Sequence, residues 1–261
     1  MKPEEKASNF YNSNGWEHDK EGNTLDANKW EDLRVVSKEY IVNCRKRLNR
    51  FIPKNGELFF DLGSGPIQYP EYLEYSKNFK ERHCMDLSKS ALEVAAKKAT
   101  NIKTFHGSFF DVPMSHNIYD CSISQHVIYH MDKDDQAIAI NKMIDITKSG
   151  GKIVIVYGNP NSILEIPYKI NRLIKKIFNL KTEHDLYHFV HPLKWWYQFN
   201  EKSKVEMYPW RTFNVFYLKK LFPNNFIGKF LLKIVFKLEN MLPKFITLAF
   251  AQYPTIVLTK K

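Results

Sequence analysis

Short runs of apolar and aromatic residues alternate with amphipathic stretches through the first 160 residues of the chain. A short apolar run bounded by turn residues is typical of a buried strand, and apolar residues at spacings of three and four are typical of a helix. The predicted strands lie at 57–62, 83–88, 102–107, 119–124 and 152–157. The predicted helices lie at 25–51, 69–75, 88–96 and 132–148. This alternation predicts a parallel sheet with helices on both faces.

Local signals mark the faces and ends of these helices. Ser88 or Ser90 can cap the third helix, where Ser90 with Glu93 fits a capping box, and Gly150 and Gly151 fit a glycine cap at the end of the fourth. The first helix carries one apolar stripe, which we expect to face the core. The stripe consists of Leu33, Val36, Tyr40, Ile41, Cys44 and Leu48.

Two more amphipathic stretches and two more strand candidates follow residue 160. Apolar residues recur at helical spacing over 163–177 and 227–238, with basic residues on the other side. The strand candidates lie at 205–210 and 254–259. Between these elements, a loop-like insertion rich in aromatic rings contains His184, His188 and His191.

The stretch 57–66 runs from the first strand into a turn with two glycines, Gly63 and Gly65. Glycine omits a side chain where a ligand must approach the backbone, and the amides of such a turn can bind an anionic or polar group. A dinucleotide-binding turn would carry a third glycine at the position of Gln68, and a phosphate-binding loop would carry Gly-Lys-Ser/Thr. The sequence therefore disfavours both of those classes.

Four features, in this order along the chain, resemble class I S-adenosylmethionine-dependent methyltransferases. They are the glycine turn after Asp61, the acid Asp86 at the end of the second strand, the segment 107–113, and the Gly150–Gly151 turn before the fifth strand. The resemblance covers residues 55–160 and looks closest to the type-11 methyltransferase domain family of small-molecule enzymes. Ile67 stands where that family usually has a third glycine.

The resemblance implies an α/β fold with a Rossmann-like seven-stranded sheet. Its last strand would lie antiparallel between the fifth and sixth, with helices on both faces and C-terminal helical insertions. It also implies S-adenosylmethionine as cofactor. Asp86 would accept hydrogen bonds from the ribose hydroxyls, and Phe109 would stack on the adenine. Ser108, or the backbone, would bind the adenine amine, at a position where the family often has an acid. The implied cofactor-binding residues are Asp61, Gly63, Ser64, Gly65, Asp86, Leu87, Ser108, Phe109 and Gln125.

We expect three parts along the chain. Residues 1–52 form an N-terminal lid and helix, 53–160 form the cofactor-binding core, and 161–261 add substrate-side helices and the last two strands of the same sheet. Within the polar segment 1–26, Tyr11 and Trp16 are expected to close over the cofactor and contact it.

Charge is unevenly distributed over the 261 residues, and the net charge of +11 comes from the C-terminal part. Residues 1–159 hold 22 Lys and Arg against 22 Asp and Glu, whereas residues 160–261 hold 17 against 6. A basic part of this kind favours an anionic small substrate, an acidic membrane surface, nucleic acid or simply a solvated face. Three widely spaced cysteines and no signal-peptide pattern predict a cytoplasmic protein, with peripheral contact to the inner face of the membrane as an open alternative.

Histidines at the end of the fourth strand are the candidates for acid–base chemistry. His126 and His130, with Tyr129 between them, lie at the ligand-binding edge of the sheet, and imidazole titrates near neutrality. We favour His130 as the base. The candidate substrate contacts are His188, His191, Arg211 and Arg34, and no metal site is expected.

Three functions remain open on the sequence alone. The first is methylation, most simply O-methylation, of a small anionic or sugar-like acceptor such as a surface-polysaccharide or phosphoramidate precursor. The second is RNA methylation, which lacks support because no separate RNA-binding domain and no Asn-Pro-Pro-Tyr motif is present. The third is an adenosyl-ligand-binding protein without catalysis at a membrane surface, which would use the two amphipathic stretches.

Overall fold

A seven-stranded sheet forms the centre of the protein, for which a computed structural model describes residues 3–12, 16–17, 19–20, 24–178 and 186–261. The strands are β1 (Gly56–Leu62), β2 (Phe79–Asp86), β3 (Ile102–His106), β4 (Tyr119–Gln125), β5 (Thr147–Val156), β6 (Ser203–Arg211) and β7 (Tyr253–Lys260). Their order is β3-β2-β1-β4-β5-β7-β6, and only β7 runs antiparallel to its neighbours. The predicted fold class, including the inserted last strand, is confirmed.

The sheet order reverses between β1 and β4, which places a crevice at the carboxyl ends of the strands. Leu62, at the end of β1, is in register with Met85 on one side and Ser124 on the other. Asp86 and Gln125 therefore end their strands beside the glycine turn that follows β1. This common edge sets the location of the site described below.

Helices cover both faces of the sheet because successive strand residues point to opposite sides. Phe60 packs into the cluster that contains Ile140 and Trp196, whereas Phe59 packs into the cluster that contains Tyr40 and Trp210. The helices are α1 (Pro3–Phe10), α2 (Leu25–Trp30), α3 (Val35–Lys46), α4 (Pro70–Glu74), α5 (Lys89–Ala96), α6 (Gln136–Ile146), α7 (Ile166–Ile177), α8 (Val215–Leu221), α9 (Phe226–Met241) and α10 (Lys244–Phe250). Short 3-10 helices add Arg47–Arg50, Ile128–His130, Ile163–Glu165 and Leu193–Asn200.

The helix predicted over 25–51 is interrupted between α2 and α3. Asp32 accepts hydrogen bonds from the backbone amide of Arg34 and the hydroxyl of Ser37, so its side chain competes with the helical backbone pattern. Leu33 falls in this break and is exposed, which corrects its assignment to the core stripe. The rest of the predicted stripe is buried.

One predicted helix start is confirmed and one predicted helix end differs in the structure. Ser88, one of the two candidate caps, caps α5, since its hydroxyl accepts a hydrogen bond from the amide of Ala91 at 3.3 Å. Helix α6 begins at Gln136, after a turn, and ends at Ile146, so Gly150 and Gly151 lie inside β5 rather than at a helix cap. The early part of β5 still pairs with β4, through an irregular register, which ends the helix sooner than the glycines suggested.

Both C-terminal amphipathic stretches form helices, but their apolar stripes face outward. Helix α9 packs on α3 through Gly228, Leu232 and Glu239, while apolar residues of the predicted amphipathic stretch, such as Phe230 and Ile234, are exposed. Helix α7 contains no buried residue. Within the described ranges, no helix combines the length and apolarity needed to cross a membrane.

Candidate active site

A cavity of about 280 Å³ opens at the carboxyl edge of the sheet, between the glycine turn and the N-terminal segment. It brings together most of the site residues predicted from the sequence. Those that line it are Tyr11, Trp16, Asp61, Gly63, Ser64, Gly65, Asp86, Leu87, Phe109, Gln125, His126, Tyr129, His130, His188 and Arg211. Ser108, His191 and Arg34 do not belong to this lining.

The glycine turn forms the floor of the cavity, and its backbone requires glycine. Gly63 and Gly65 have φ of +70° and +52°, the left-handed region that other residues avoid. A Cβ on Gly63 would lie 2.2 Å from a methyl group of Val127, and one on Gly65 would lie 2.8 Å from the Trp16 indole. The amides of Gly63 and Ser64 both donate to the carbonyl of Met85, which ties the turn to β2.

Asp86 is held in place by two backbone amides. Its Oδ2 accepts from Gly65 and its Oδ1 accepts from Ser88, each at 2.8 Å. Each carboxylate oxygen can accept a further hydrogen bond. Burial raises the pKa of Asp86, although these amide hydrogen bonds counteract the shift. The arrangement presents a fixed pair of acceptors to the cavity.

The Ser108 side chain is hydrogen-bonded to a residue that the sequence analysis did not single out. Its hydroxyl lies 3.0 Å from both carboxylate oxygens of Glu4 on α1, and it also accepts from the amide of Phe110 at 3.2 Å. Glu4 lines the cavity beside Gly107 and Phe109. A carboxylate from the N-terminal helix thus stands next to the position where the resembling family often carries an acid.

The N-terminal segment forms one wall of the cavity through Ala7, Tyr11, Trp16 and Asp26. The rings of Tyr11 and Trp16 stack with centroids 5.1 Å apart, and the Tyr11 hydroxyl lies 3.4 Å from Asp26 Oδ1. Burial raises the pKa of Asp26 to about 6, against a partial lowering by this hydrogen bond. Residues 1–2, 13–15, 18 and 21–23 of the predicted lid lie outside the described residues.

His126 is packed tightly at the end of β4. It adopts φ of +61°, and its ring contacts Trp210 and Tyr253 at centroid distances of 4.9 and 5.1 Å. Its Nδ1 lies 2.9 Å from the hydroxyl of Tyr129. Burial holds the pKa of His126 well below its usual value, and the positive charge of Arg211 adds to that shift. The ring is therefore neutral at pH 7.

His130 has one ring nitrogen fixed by the backbone. Its Nδ1 donates to the carbonyl oxygen of Tyr187 at 2.7 Å, which fixes the neutral tautomer with a lone pair on Nε2. Burial lowers the pKa of His130, and the hydrogen bond to Tyr187 partly offsets this. The ring of His188 lies 5.9 Å away, between centroids, and also lines the cavity.

Arg211 is a buried cation with two unused donors. Its Nε and Nη1 have no hydrogen-bond partner within the described residues. The guanidinium lies 4.9 Å from the ring centroids of both Trp210 and Tyr253. Burial lowers the pKa of Arg211, but Glu31 and Tyr253 outweigh it, so the pKa stays above its usual value and the group is charged.

Two acids of the cavity wall are neutralised by arginines behind them. Asp61 forms a buried ion pair with Arg82, and Glu31 forms one with Arg45 at 2.6 Å. The Arg45 guanidinium also stacks on the Tyr69 ring at 3.2 Å. Paired in this way, Asp61 and Glu31 leave Arg211 as the fixed positive charge among the lining residues.

Comparison with known protein families identifies the domain that contains this cavity. Residues 60–155, from β1 through most of β5, match the family model of a methyltransferase domain. The chain contains a class I S-adenosylmethionine-dependent methyltransferase domain. No curated protein sequence matches the chain.

Solved structures with the same fold include several methyltransferases. Geranyl diphosphate C-methyltransferase from Streptomyces coelicolor A3(2) is 12% identical, with a TM-score of 0.60 over 100% of this chain and 99% of that one. Phosphoethanolamine N-methyltransferase 2 from Haemonchus contortus is 17% identical, with a TM-score of 0.52 over 84% of this chain and 52% of that one. A putative methyltransferase bound to Trm112 of Haloferax volcanii is 13% identical, with a TM-score of 0.55 over 87% and 92% of the two chains.

The cavity of the methyltransferase domain fits its cofactor, S-adenosylmethionine. Gly63 and Gly65 leave the backbone of the turn accessible, and Asp86 offers two oriented carboxylate oxygens to a diol. The indole nitrogen of Trp16 and Oε1 of Gln125 are buried without a partner among the described residues, so each can still bind a polar group. These are the properties that an adenosyl group with an amino-acid tail requires.

Arg34 and His191 have structural partners instead of a place in the cavity of the methyltransferase. Arg34 forms an ion pair with Asp32 at 2.7 Å and donates to the carbonyls of Leu218 and Phe222. His191 stacks on Trp195, with centroids 4.1 Å apart, and its Nε2 bonds to a backbone carbonyl. His184, the third histidine of that insertion, lies outside the described residues.

Sequence reasoning missed Glu4, Asp26, Glu31, Tyr69 and Tyr253, all of which line the cavity. Glu4 reaches Ser108 across 104 residues of chain, and no local pattern signals such a contact. The resembling family often has an acid at the position of Ser108, and the absence of one here is the single sequence signal that could have pointed to a carboxylate from another segment.

Proposed function

We propose that this methyltransferase acts on a hydroxyl oxygen of a small acceptor that carries a carboxylate or phosphate group. The observation that carries the proposal is the buried Arg211, whose Nε and Nη1 lack partners among the described residues. A buried donor without a partner is costly, and a planar guanidinium suits a two-oxygen anion. An anionic group of the acceptor would satisfy both donors at once.

Aromatic rings in the cavity lining support an acceptor of sugar or aromatic size. Tyr69, Tyr72, Tyr253 and Trp30 line the cavity, and the Tyr69 hydroxyl is buried without a partner among the described residues. Such a wall combines apolar area with few polar groups, as small-molecule sites do. A phosphorylated or carboxylated sugar, including a surface-polysaccharide or phosphoramidate precursor, matches these features.

His130 is the proposed general base. Its Nδ1–H is fixed by the Tyr187 carbonyl, so Nε2 of the neutral ring carries the lone pair that would accept the hydroxyl proton. His126 would orient Tyr129 through their 2.9 Å contact. S-adenosylmethionine, when bound, supplies an electrophilic methyl group to the acceptor oxygen.

On the cofactor side, we assign the ribose to Asp86 and the adenine to the pocket beside Phe109. The Glu4 carboxylate, held by Ser108, would accept a hydrogen bond from the adenine amine. Glu4, Tyr11 and Trp16 would act as the lid over this ligand. The Phe109 side chain is buried against Phe60 and gives the pocket an aromatic wall.

Methyl transfer to matched acceptor pairs tests the proposal. Each pair would join a hydroxyl compound bearing a carboxylate or phosphate with its methyl ester or unphosphorylated form, and the methylated atom would be identified by NMR. We expect the anionic member to be preferred, and Arg211→Gln to raise its KM about 10- to 100-fold. Lys204→Gln, an exposed cation on the same strand, is the matched control. An unchanged preference in Arg211→Gln would show that the acceptor anion binds elsewhere.

A further inference from the structure

Helix α7 presents a continuous apolar stripe to the outside of the protein. Its side chains, together with that of Ile163 in the preceding turn, are 45–67% exposed. They are Ile163, Ile166, Ile170, Leu173, Ile174 and Ile177. Phe178, just beyond the helix, is 69% exposed. Twelve residues without one buried side chain are too few to form a stable helix in water by themselves.

The attachment of α7 to the protein leaves this stripe uncovered. Tyr168, on the other side of the helix, contacts the rings of Phe216 and Tyr217 with centroids 5.7 and 5.8 Å away. Its hydroxyl accepts a hydrogen bond from Asn214 at 3.2 Å. Helix α8 therefore holds α7 by its polar side, and the apolar stripe faces outward.

Basic residues flank the stripe and outnumber the acids there. Lys169, Arg172, Lys175 and Lys176 lie on the remaining surface of α7, and the segment 166–178 contains no Asp or Glu. Glu165, in the turn before the helix, is the one acid of 163–178 and accepts a hydrogen bond from Gln252 at 2.7 Å. Lys219 and Lys220 add two cations in the last turn of α8. An apolar stripe bordered by Lys and Arg is the pattern of a helix that lies in a membrane interface.

We propose that α7 docks the protein on an anionic phospholipid bilayer, with its isoleucine-rich stripe among the acyl chains and its cations at the headgroups. The occupant follows from charge complementarity, since four cations flank the stripe within α7 and the helix itself contains no acid. A second copy of the chain would bring two such basic borders together, which like-charge repulsion disfavours. Among the described residues of 160–261, Arg211 is the one Lys or Arg that lines the cavity, so we infer that the clustered charge of α7 serves a surface rather than the pocket.

Docking at α7 would also fix the position of the active site. The helix follows β5, whose carboxyl end lies at the cavity edge, and the chain later returns to place His188 in the cavity lining. The docking proposal stands on α7 alone and does not depend on which acceptor is methylated.

Co-sedimentation of the full chain with vesicles tests the proposal. We expect binding to phosphatidylcholine vesicles that contain phosphatidylglycerol, weak binding to pure phosphatidylcholine, and a loss of binding as salt is raised. Ile170→Asp with Leu173→Asp should lower the partition coefficient about tenfold or more. Lys169→Gln with Lys176→Gln should lower it about fivefold for each charge removed.

Matched substitutions elsewhere separate docking from general surface effects. Ile138 on α6 is 56% exposed, so Ile138→Asp controls for the apolar changes, and Lys97→Gln with Lys98→Gln controls for the charge changes. All variants should bind S-adenosylhomocysteine as the wild type does, which verifies the fold. Equal binding to both vesicle types, or no binding, would overturn the proposal. A dimer of the protein that dissociates upon Ile170→Asp would also overturn it. So would vesicle binding that is lost when Phe230 of α9 is substituted but kept when the residues of α7 are.

Discussion

Asp86 offers the sharpest test of the cofactor site, through the substitution Asp86→Ala. Its carboxylate oxygens each accept one backbone amide at 2.8 Å and can each accept one ribose hydroxyl. Removing a buried, charged acceptor of two hydroxyls should cost about 1.5–3 kcal/mol of binding free energy. That corresponds to an affinity about 10- to 150-fold weaker.

Calorimetric titration with S-adenosylhomocysteine measures this loss. Because Asp86 also holds the glycine turn and the start of α5, the substitution will lower stability as well, and a matched control is needed. Asp120 supplies it: its Oδ2 accepts from the amides of Glu57 and Leu58 at 2.8 and 3.0 Å, at the opposite end of β1. Asp120→Ala should lower stability without changing cofactor affinity.

The pH dependence of binding gives a second measure at the same residue. Burial raises the pKa of Asp86, and a protonated carboxyl group is a poor acceptor for two hydroxyls. Wild-type affinity should therefore fall on acidification, beginning at a higher pH than an ordinary aspartate would require. A folded Asp86→Ala protein with wild-type affinity, or with the same acid-dependent loss, would refute the assignment of the ribose to this carboxylate.

Three further predictions concern the base, the adenine and the lid. His130→Gln should lower kcat about 10²- to 10⁴-fold with little change in cofactor affinity, whereas the exposed His116→Gln should not. Because burial lowers the pKa of His130, wild-type kcat should be constant above pH 6.5 and fall only at more acidic pH. An unchanged kcat in His130→Gln would exclude His130 as the base. Glu4→Gln should reduce the preference for S-adenosyl- over S-inosylhomocysteine, whose base carries a carbonyl instead of an amine, and equal preference in both proteins would contradict the contact. Because the folded-state pKa of Asp26 is raised to about 6, its stabilising effect is present below the unfolded pKa near 4 and is lost as pH rises through 6. Asp26→Asn should therefore raise the thermal midpoint more at pH 8 than at pH 4.5, and parallel curves would show that Asp26 is not buried as described.

The sheet and the cofactor edge were predictable because their signals are local. The glycine turn, Asp86 and the strand ends lie within short segments whose order along the chain fixes their order in the sheet. The alternation of strands and helices then leaves few topologies. Arg211 was likewise predictable as an arginine at the end of a strand. That its side chain is buried with unpaired donors could not be predicted from the sequence.

Contacts between distant segments were not predictable in this way. The periodicity of α9 shows an apolar stripe, but the helix packs on one flank of it, where Leu232 and Val235 join the core. On that flank Glu239 accepts a hydrogen bond from the Tyr40 hydroxyl at 2.7 Å and pairs with Arg47 at 2.9 Å. A buried polar network thus turns the packed face away from the centre of the apolar stripe. Arg34 was predicted as a substrate contact, but it forms an ion pair with Asp32, which lies only two residues away in the sequence.

The wall built by Glu4, Tyr11 and Trp16 has a kinetic consequence. Trp16 rests against Gly65, and Glu4 lines the cavity together with Gly107. In the proposed cofactor orientation, this segment would cover the nucleoside, so spent cofactor would leave no faster than the segment detaches. The detachment rate would then set a ceiling on turnover, and substitutions that loosen the Tyr11–Trp16 stack would speed product release even while they weaken binding.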